Sequence, residues 1–425
     1  MNENWNPLKL AENSKTFCVY PWIHQYIGTL GDVKPCCVYS HSKELGNLKN
    51  EDLKDIWNNE NTKQLRLDML NGVVRPECDH CNLREFYDNT SRSRTNQHYF
   101  PLEEVKKQIA SSKQDGEVAK HRLLHMDVRF NNLCNFKCRT CSPHFSTQWI
   151  DDFKKVNAVD SNSKENLELQ YPGKNKKHAY NEMRPHFAYL KEIYFAGGEP
   201  LIQAEHYKTL ETFIEIHNLK VSIRYNTNLS RLRYKDKNVL TYWKKFKDVR
   251  VLASIDASHE RAEYWRKGTI WKDIVDNRRK IITETPHVKF FLCTTLAWPN
   301  SLNIIDLHKE WIELKLIKPN DIILNELSGP YYYSLTNIPV WKKDQIRDAY
   351  LKHIDWLQQL SEDISIAISE FQNAIKFMYN ENLSKSFDFN KFYYFTSNYD
   401  ALRNEDFFKI FTEHQDMHEY IQKFI

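Results

Sequence analysis

"NNLCNFKCRTCSPHF", Asn131 to Phe145, places three cysteines inside eight residues. It follows directly on "RLLHMDVRF", Arg122 to Phe130, a strand candidate, and leads into the helix-like "FSTQWIDDFKKV". Strand, cysteine loop, helix is the first unit of a longer alternation. "LKEIYFAGGEP" is a second strand, followed by "HYKTLETFIEIHN", in which Tyr207, Leu210, Phe213 and His217 are spaced like a helix face. "KVSIRYNTN" is a third, with a helix expected from about Tyr234 to Phe246. "DVRVLASIDAS", "HVKFFLCTTLAW" and "DIILNEL" complete six, the first two followed by "IWKDIVDNRRKIITE" and "IIDLHKEWIELK" as helices. Such alternation predicts parallel strands joined by right-handed crossovers. Six units are too few for a closed eight-unit barrel, leaving an open partial barrel or a doubly wound sheet.

Around this core the chain divides by composition. Residues 1–100 carry five cysteines and few strong strand runs, 101–120 are a polar connector with some helix, 121–330 hold the six units, and 331–425 read as a helical, aromatic region. The span Ser161 to Arg184 is polar and poorly periodic, a loop or lid inserted after the first unit.

The 425 residues are 27% charged and 41% hydrophobic, the profile of a soluble globular chain. Sixty basic against 56 acidic residues leave a net charge of +4, too small to argue for nucleic acid. The first residues lack a secretory pattern, and no apolar run is long enough to span a bilayer. A cytoplasmic, reducing location is expected, where clustered cysteines point to metal before disulfides. Eight of the nine cysteines precede residue 142.

Cys134, Cys138 and Cys141 form C-x3-C-x2-C with no further cysteine for 150 residues. A structural zinc closes with four ligands, for which His144 is the nearest candidate. Three thiolates on one tight loop suit a four-iron cluster with one iron open to a ligand that is not protein.

With that spacing on the page, the chain resembles the radical SAM enzymes, whose hallmark is this cysteine motif after the first strand of a (βα)6 partial barrel. The likeness extends to "AGGEP", Ala196 to Pro200, at the end of the second strand. Gly197 and Gly198 let the backbone approach a ligand, and Glu199 offers a carboxylate to an ammonium. The resemblance implies that these residues hold S-adenosylmethionine (SAM), whose amine and carboxylate chelate the open iron. It also implies contacts to SAM from Asn226 in "YNTN", Ser254 in "ASIDAS" and Arg266 in "AEYWRKGTIW". Thr140 stands where the family usually has an aromatic residue, which leaves the ring contact to adenine without a candidate.

Cys18, Cys36, Cys78 and Cys81 are a second set, enough thiolates to close a zinc site or a cluster fully. Gly31 lies five positions before Cys36, and "LGNLKNEDLKDIWNNENTKQLRLDML" follows with Leu53, Ile56, Trp57 and Leu65 on a helical stripe. Both features resemble the auxiliary-cluster modules called SPASM and twitch, which generally follow the barrel; here the match precedes it. The four-cysteine form is similar to twitch, with one auxiliary [4Fe–4S] cluster. Cys37 is an alternative to Cys36, and Cys293 reads as a core thiol.

The expected fold is therefore α/β: a partial (βα)6 barrel of parallel strands with a small N-terminal metal-cluster domain and a helical C-terminal region. The resemblance implies two [4Fe–4S] clusters, SAM, and an electron donor such as flavodoxin or ferredoxin. It implies oxidative modification of a peptide or small metabolite. An RNA-modifying radical SAM enzyme and a non-catalytic, metal-stabilised binding protein are the alternatives.

Overall fold

A computed structural model describes residues 5–40, 43–82, 92–157, 167–327, 329–384 and 386–423. The chain forms two compact units. One comprises Met1–Asn132, Gln170–Arg224 and Lys245–Lys247; the other comprises Leu133–Leu169, Tyr225–Lys244 and Asp248–Ile425.

In the first unit five strands lie in the order β5-β4-β1-β2-β3: β1 His24–Ile27, β2 Asp32–Lys34, β3 Gly46–Asn47, β4 His125–Val128 and β5 Glu192–Phe195. β4 runs parallel to β5, with His125 opposite Glu192 and Asp127 opposite Tyr194. β1 runs parallel to β4 on its other side, with His24 opposite His125 and Tyr26 opposite Asp127. β2 and β3 add as antiparallel strands. These three N-terminal strands are two to four residues long, and "HQYI" and "DVK" carry few strand-forming residues. Pairing and burial, not propensity, make them strands.

The strand β6, Ser222–Thr227, runs through both units. In the second unit it is followed by β7 Val249–Ala253, β8 Lys289–Leu296 and β9 Ile322–Glu326, parallel and in that order. The six strands β4 to β9 are the six expected from sequence. Each is a neighbour of the next one along the chain, so the winding never reverses. A doubly wound sheet reverses at a switch point; this order is that of a partial (βα)6 barrel.

Two helix expectations are corrected. The helix Ala204–Glu215 buries Tyr207, Leu210 and Phe213, yet His217 lies beyond its end with φ 58°, a left-handed residue that stops the helix. The helix expected from Tyr234 is only Val239–Trp243, because Arg233–Tyr234 and Lys237–Asn238 pair as a small hairpin. Asn238 then caps the helix, its side chain accepting from the Leu240 N–H. Of the expected loop from Ser161 to Arg184, residues 161–166 lie outside the described residues, and its end contains a helix, His178–Met183.

The C-terminal region is helical, with Val340–Leu357, Ser365–Met378 and Phe389–Arg403 as its main helices. Its aromatic residues pack. Trp298 is fully buried with its ring centroid 4.9 Å from Phe392, 5.6 Å from Phe407 and 5.1 Å from His414. Among the described residues no helix is long and apolar enough to cross a membrane.

Candidate functional site

The cysteine loop belongs to the second unit. Cys134 and Cys138 are buried, Cys141 is half-buried, and Phe136 packs among them. Two of the sulfurs have hydrogen-bond donors beside them. The Phe136 N–H donates to Cys134 Sγ at 3.4 Å, and Asn228 Nδ2 lies 3.9 Å from the same sulfur. Residues Lys137–Cys138 pair antiparallel with Arg266–Lys267, which sets Arg266 opposite Cys138. Its Nη1 donates to Cys138 Sγ at 3.6 Å. Asp256 holds that guanidinium, accepting from Nη2 at 3.0 Å and facing Nε at 2.7 Å. Burial raises the Cys138 thiol and pushes Cys141 up to about 12, while Arg266 opposes both shifts. These thiols need added positive charge to ionise, which a metal centre would supply. His144 is exposed.

The loop is anchored from the C-terminal region. Arg139, between the second and third cysteines, is buried with its guanidinium 4.3 Å above the Tyr264 ring. It pairs with Asp400 and, at 2.6 Å, with Glu405. Lys137 and Arg403 both reach Asp152, at 2.9 and 2.8 Å. The basic residues of "KCRTC" are thus loop anchors rather than exposed charges.

Asn226 and Ser254, the expected SAM contacts, are half-buried at the carboxyl ends of β6 and β7. The Ser254 N–H donates to the Thr227 carbonyl at 2.8 Å. Asn226 Oδ1 is buried with no hydrogen-bond partner among the described residues. A buried amide oxygen left so is destabilising unless a ligand donor completes it, and a ribose hydroxyl is such a donor.

"AGGEP" lies in the first unit. Gly197 has φ +108°, and a Cβ there would stand 2.8 Å from Arg129 Cβ and 3.1 Å from the Asn131 carbonyl oxygen. The Gly198 N–H donates to that same carbonyl at 3.2 Å. Glu199 is buried, and its Oε1 accepts from the Leu201 N–H at 3.0 Å, starting the turn Pro200–Ile202 ahead of the next helix. The Gly197→Ala variant should lose about 1–3 kcal/mol of stability from backbone strain alone. Its urea-unfolding midpoint should fall accordingly, and an unchanged midpoint would contradict the strain.

The four N-terminal cysteines also lie in the first unit and sense one another. Burial, with negative charge on Cys81 and Cys78, pushes Cys18 up to about 12. Cys36 is raised well above the ordinary thiol value by burial, then by Cys37, Cys18 and Cys81. Cys78 rises to about 11 from burial and Cys81. Two segments separated by 41 residues thus converge their thiols, a donor set that suits a cationic centre.

Residues 18–82 match the model of SPASM, described as an iron–sulfur cluster-binding domain. The N-terminal cysteine segment is SPASM-like. The matched range begins at Cys18 and ends one residue past Cys81, so it encloses the whole quartet. No curated protein matches the chain. Among solved structures, native anSMEcpe with bound AdoMet has 15% identity over 55% of this chain and 62% of its own, with a TM-score of 0.39. Streptococcus suis SuiB has 14% identity over 71% of this chain and 63% of its own, with a TM-score of 0.38. The chain therefore matches less than two thirds of either protein.

One feature of the first unit escaped the sequence reading. The SPASM-like segment supplies β1, and β1, β4, β5 and β6 each alternate polar and apolar residues. Gln25, Ile27, Met126, Val128, Ile193, Phe195 and Ile223 are buried at 0–2% exposure. The opposite positions, His24, Tyr26, His125, Asp127, Glu192, Tyr194 and Arg224, are polar or aromatic. His125 Nε2 lies 3.4 Å from Glu192 Oε1, and the Tyr99 hydroxyl donates to Glu192 Oε2 at 3.4 Å. Burial holds His125 down at about 3, so that imidazole is neutral. Parallel strands covered on both faces are ordinarily continuous apolar runs. The period-two alternation in "HMDVRF" and "SIRYN" was the available signal.

Proposed function

We propose that this chain is a radical SAM enzyme with one auxiliary [4Fe–4S] cluster. The observation that carries the reading is the cysteine trio, two of its members buried, in the loop after the first of six singly wound strands, with Gly197-Gly198-Glu199 after the second. Cys134, Cys138 and Cys141 would hold one cluster, and Cys18, Cys36, Cys78 and Cys81 the other. When bound, the first cluster and SAM supply, on one-electron reduction, methionine and a 5′-deoxyadenosyl radical that takes hydrogen from an unactivated substrate carbon. Arg266, held by Asp256, steadies negative charge at Cys138. Glu199 would accept from the methionyl ammonium, and Asn226 Oδ1 from a ribose hydroxyl; Ser254 lies at a neighbouring strand end. Four cysteines around the auxiliary centre leave it no open coordination position, which suits electron transfer better than bond making. The net reaction would be an oxidation of a peptide or small metabolite, with flavodoxin or ferredoxin as electron donor.

Anaerobic reconstitution of the full chain should give about eight irons. With dithionite and SAM it should form 5′-deoxyadenosine. A preparation that takes up zinc and no iron, or holds iron without cleaving SAM, would overturn the proposal.

A further inference from the structure

On the polar face of the first unit nearly every charge has a partner. Arg129 forms an ion pair with Asp127 and lies 4.3 Å above the Tyr26 ring. Glu192 accepts from the Tyr99 hydroxyl at 3.4 Å, beside the neutral His125 ring. Arg224 differs. It is half-buried, its guanidinium stacked 4.9 Å from the Tyr194 ring centroid, and among the described residues no carboxylate lies within ion-pair distance and no acceptor takes its N–H groups. Burial disfavours its charge and the nearby Glu192 favours it; a guanidinium stays a cation in either case.

A guanidinium with no carboxylate in ion-pair contact keeps its N–H groups available to an acceptor from a ligand. The Tyr194 ring centroid stands 4.9 Å from the guanidinium carbon, and the N–H groups match a planar carboxylate with two parallel hydrogen bonds. The hydroxyls of Tyr26 and Tyr194 also have no hydrogen-bond partner among the described residues and stand by as further donors. We propose that this face is a binding site for a substrate carboxylate, an acidic side chain or chain terminus, with Arg224 as its recognition group and Tyr194 as the plate that orients it. The proposal names a substrate class for the radical SAM reading and rests on it for calling the ligand a substrate.

The reconstituted full chain, treated anaerobically with phenylglyoxal and mapped by mass spectrometry, tests this without turnover. Arg224 should be modified several-fold faster than the paired Arg129. N-acetylglutamate amide should protect it at least about fivefold, and the isosteric N-acetylglutamine amide should not. The same acidic probe, titrated by calorimetry, should bind Arg224→Gln about tenfold or more weakly than the parent, with partial recovery in Arg224→Lys. An unreactive Arg224, equal protection by both amides, or protection by inorganic phosphate alone overturns the proposal. The SAM-cleavage assay on the parent protein reports separately on the enzyme reading. Selective protection without 5′-deoxyadenosine would sink the function and keep the carboxylate site; the reverse would sink only the site.

Discussion

Replacing Cys134, Cys138 and Cys141 together by alanine should abolish 5′-deoxyadenosine formation and lower the iron content from about eight to about four per chain. The three sulfurs come from one loop, packed around Phe136, and two of them have hydrogen-bond donors beside them. The Phe136 N–H and Asn228 face Cys134, and Arg266 faces Cys138. With the sulfurs gone, those donors have nothing to stabilise. The four irons that remain should sit on Cys18, Cys36, Cys78 and Cys81, which belong to a different unit of the chain. Iron analysis and chromatography of the SAM products read both outcomes. Residual cleavage above the dithionite-only background would place the SAM chemistry elsewhere, and loss of all eight irons would mean that the two sets do not fill independently.

Asp256→Ala should destabilise the protein by about 3–5 kcal/mol. Asp256 is fully buried, with its carboxylate against Arg266 Nε at 2.7 Å and accepting from Nη2 at 3.0 Å. Its Oδ1 also accepts from the Thr295 N–H at 2.8 Å. Removing it leaves a guanidinium with only 13% of its side chain exposed and no counter-ion, together with an unsatisfied backbone N–H. Asp256→Asn keeps acceptor atoms and should lose less. Because Arg266 also donates to Cys138, the iron absorbance should bleach at lower urea in the alanine variant than in the parent. Coincident unfolding midpoints for parent and Asp256→Ala would refute a supporting role for the pair.

The six parallel strands and the cysteine loop were legible because their signals are local. A strand run such as "KFFLCTTL" and a spacing such as C-x3-C-x2-C are complete within about ten residues, and neither needs a distant partner to be recognised. Cys293 is as expected, a buried thiol of β8, accepting from Asn325 Nδ2 at 3.1 Å. The N-terminal strands were not legible. "HQYI" becomes a strand because His24 to Ile27 find β4 about a hundred residues later. Lys137 and Arg139, which flank Cys138, find their partners Asp152, Asp400 and Glu405 only in the folded chain.

The amino-acid sequence alone determined the α/β alternation and the spacing of the cysteines, since helix and strand periods and ligand spacing are short-range properties. Tertiary structure alone decided which charges are paired and which are left over. Asp256 with Arg266, and Arg139 with Glu405, are matched by pairings between segments distant in the chain. Arg224 differs because no such pairing reaches it among the described residues. Coulomb energy and desolvation depend on distance in space, which strand register and loop closure set and residue order does not encode.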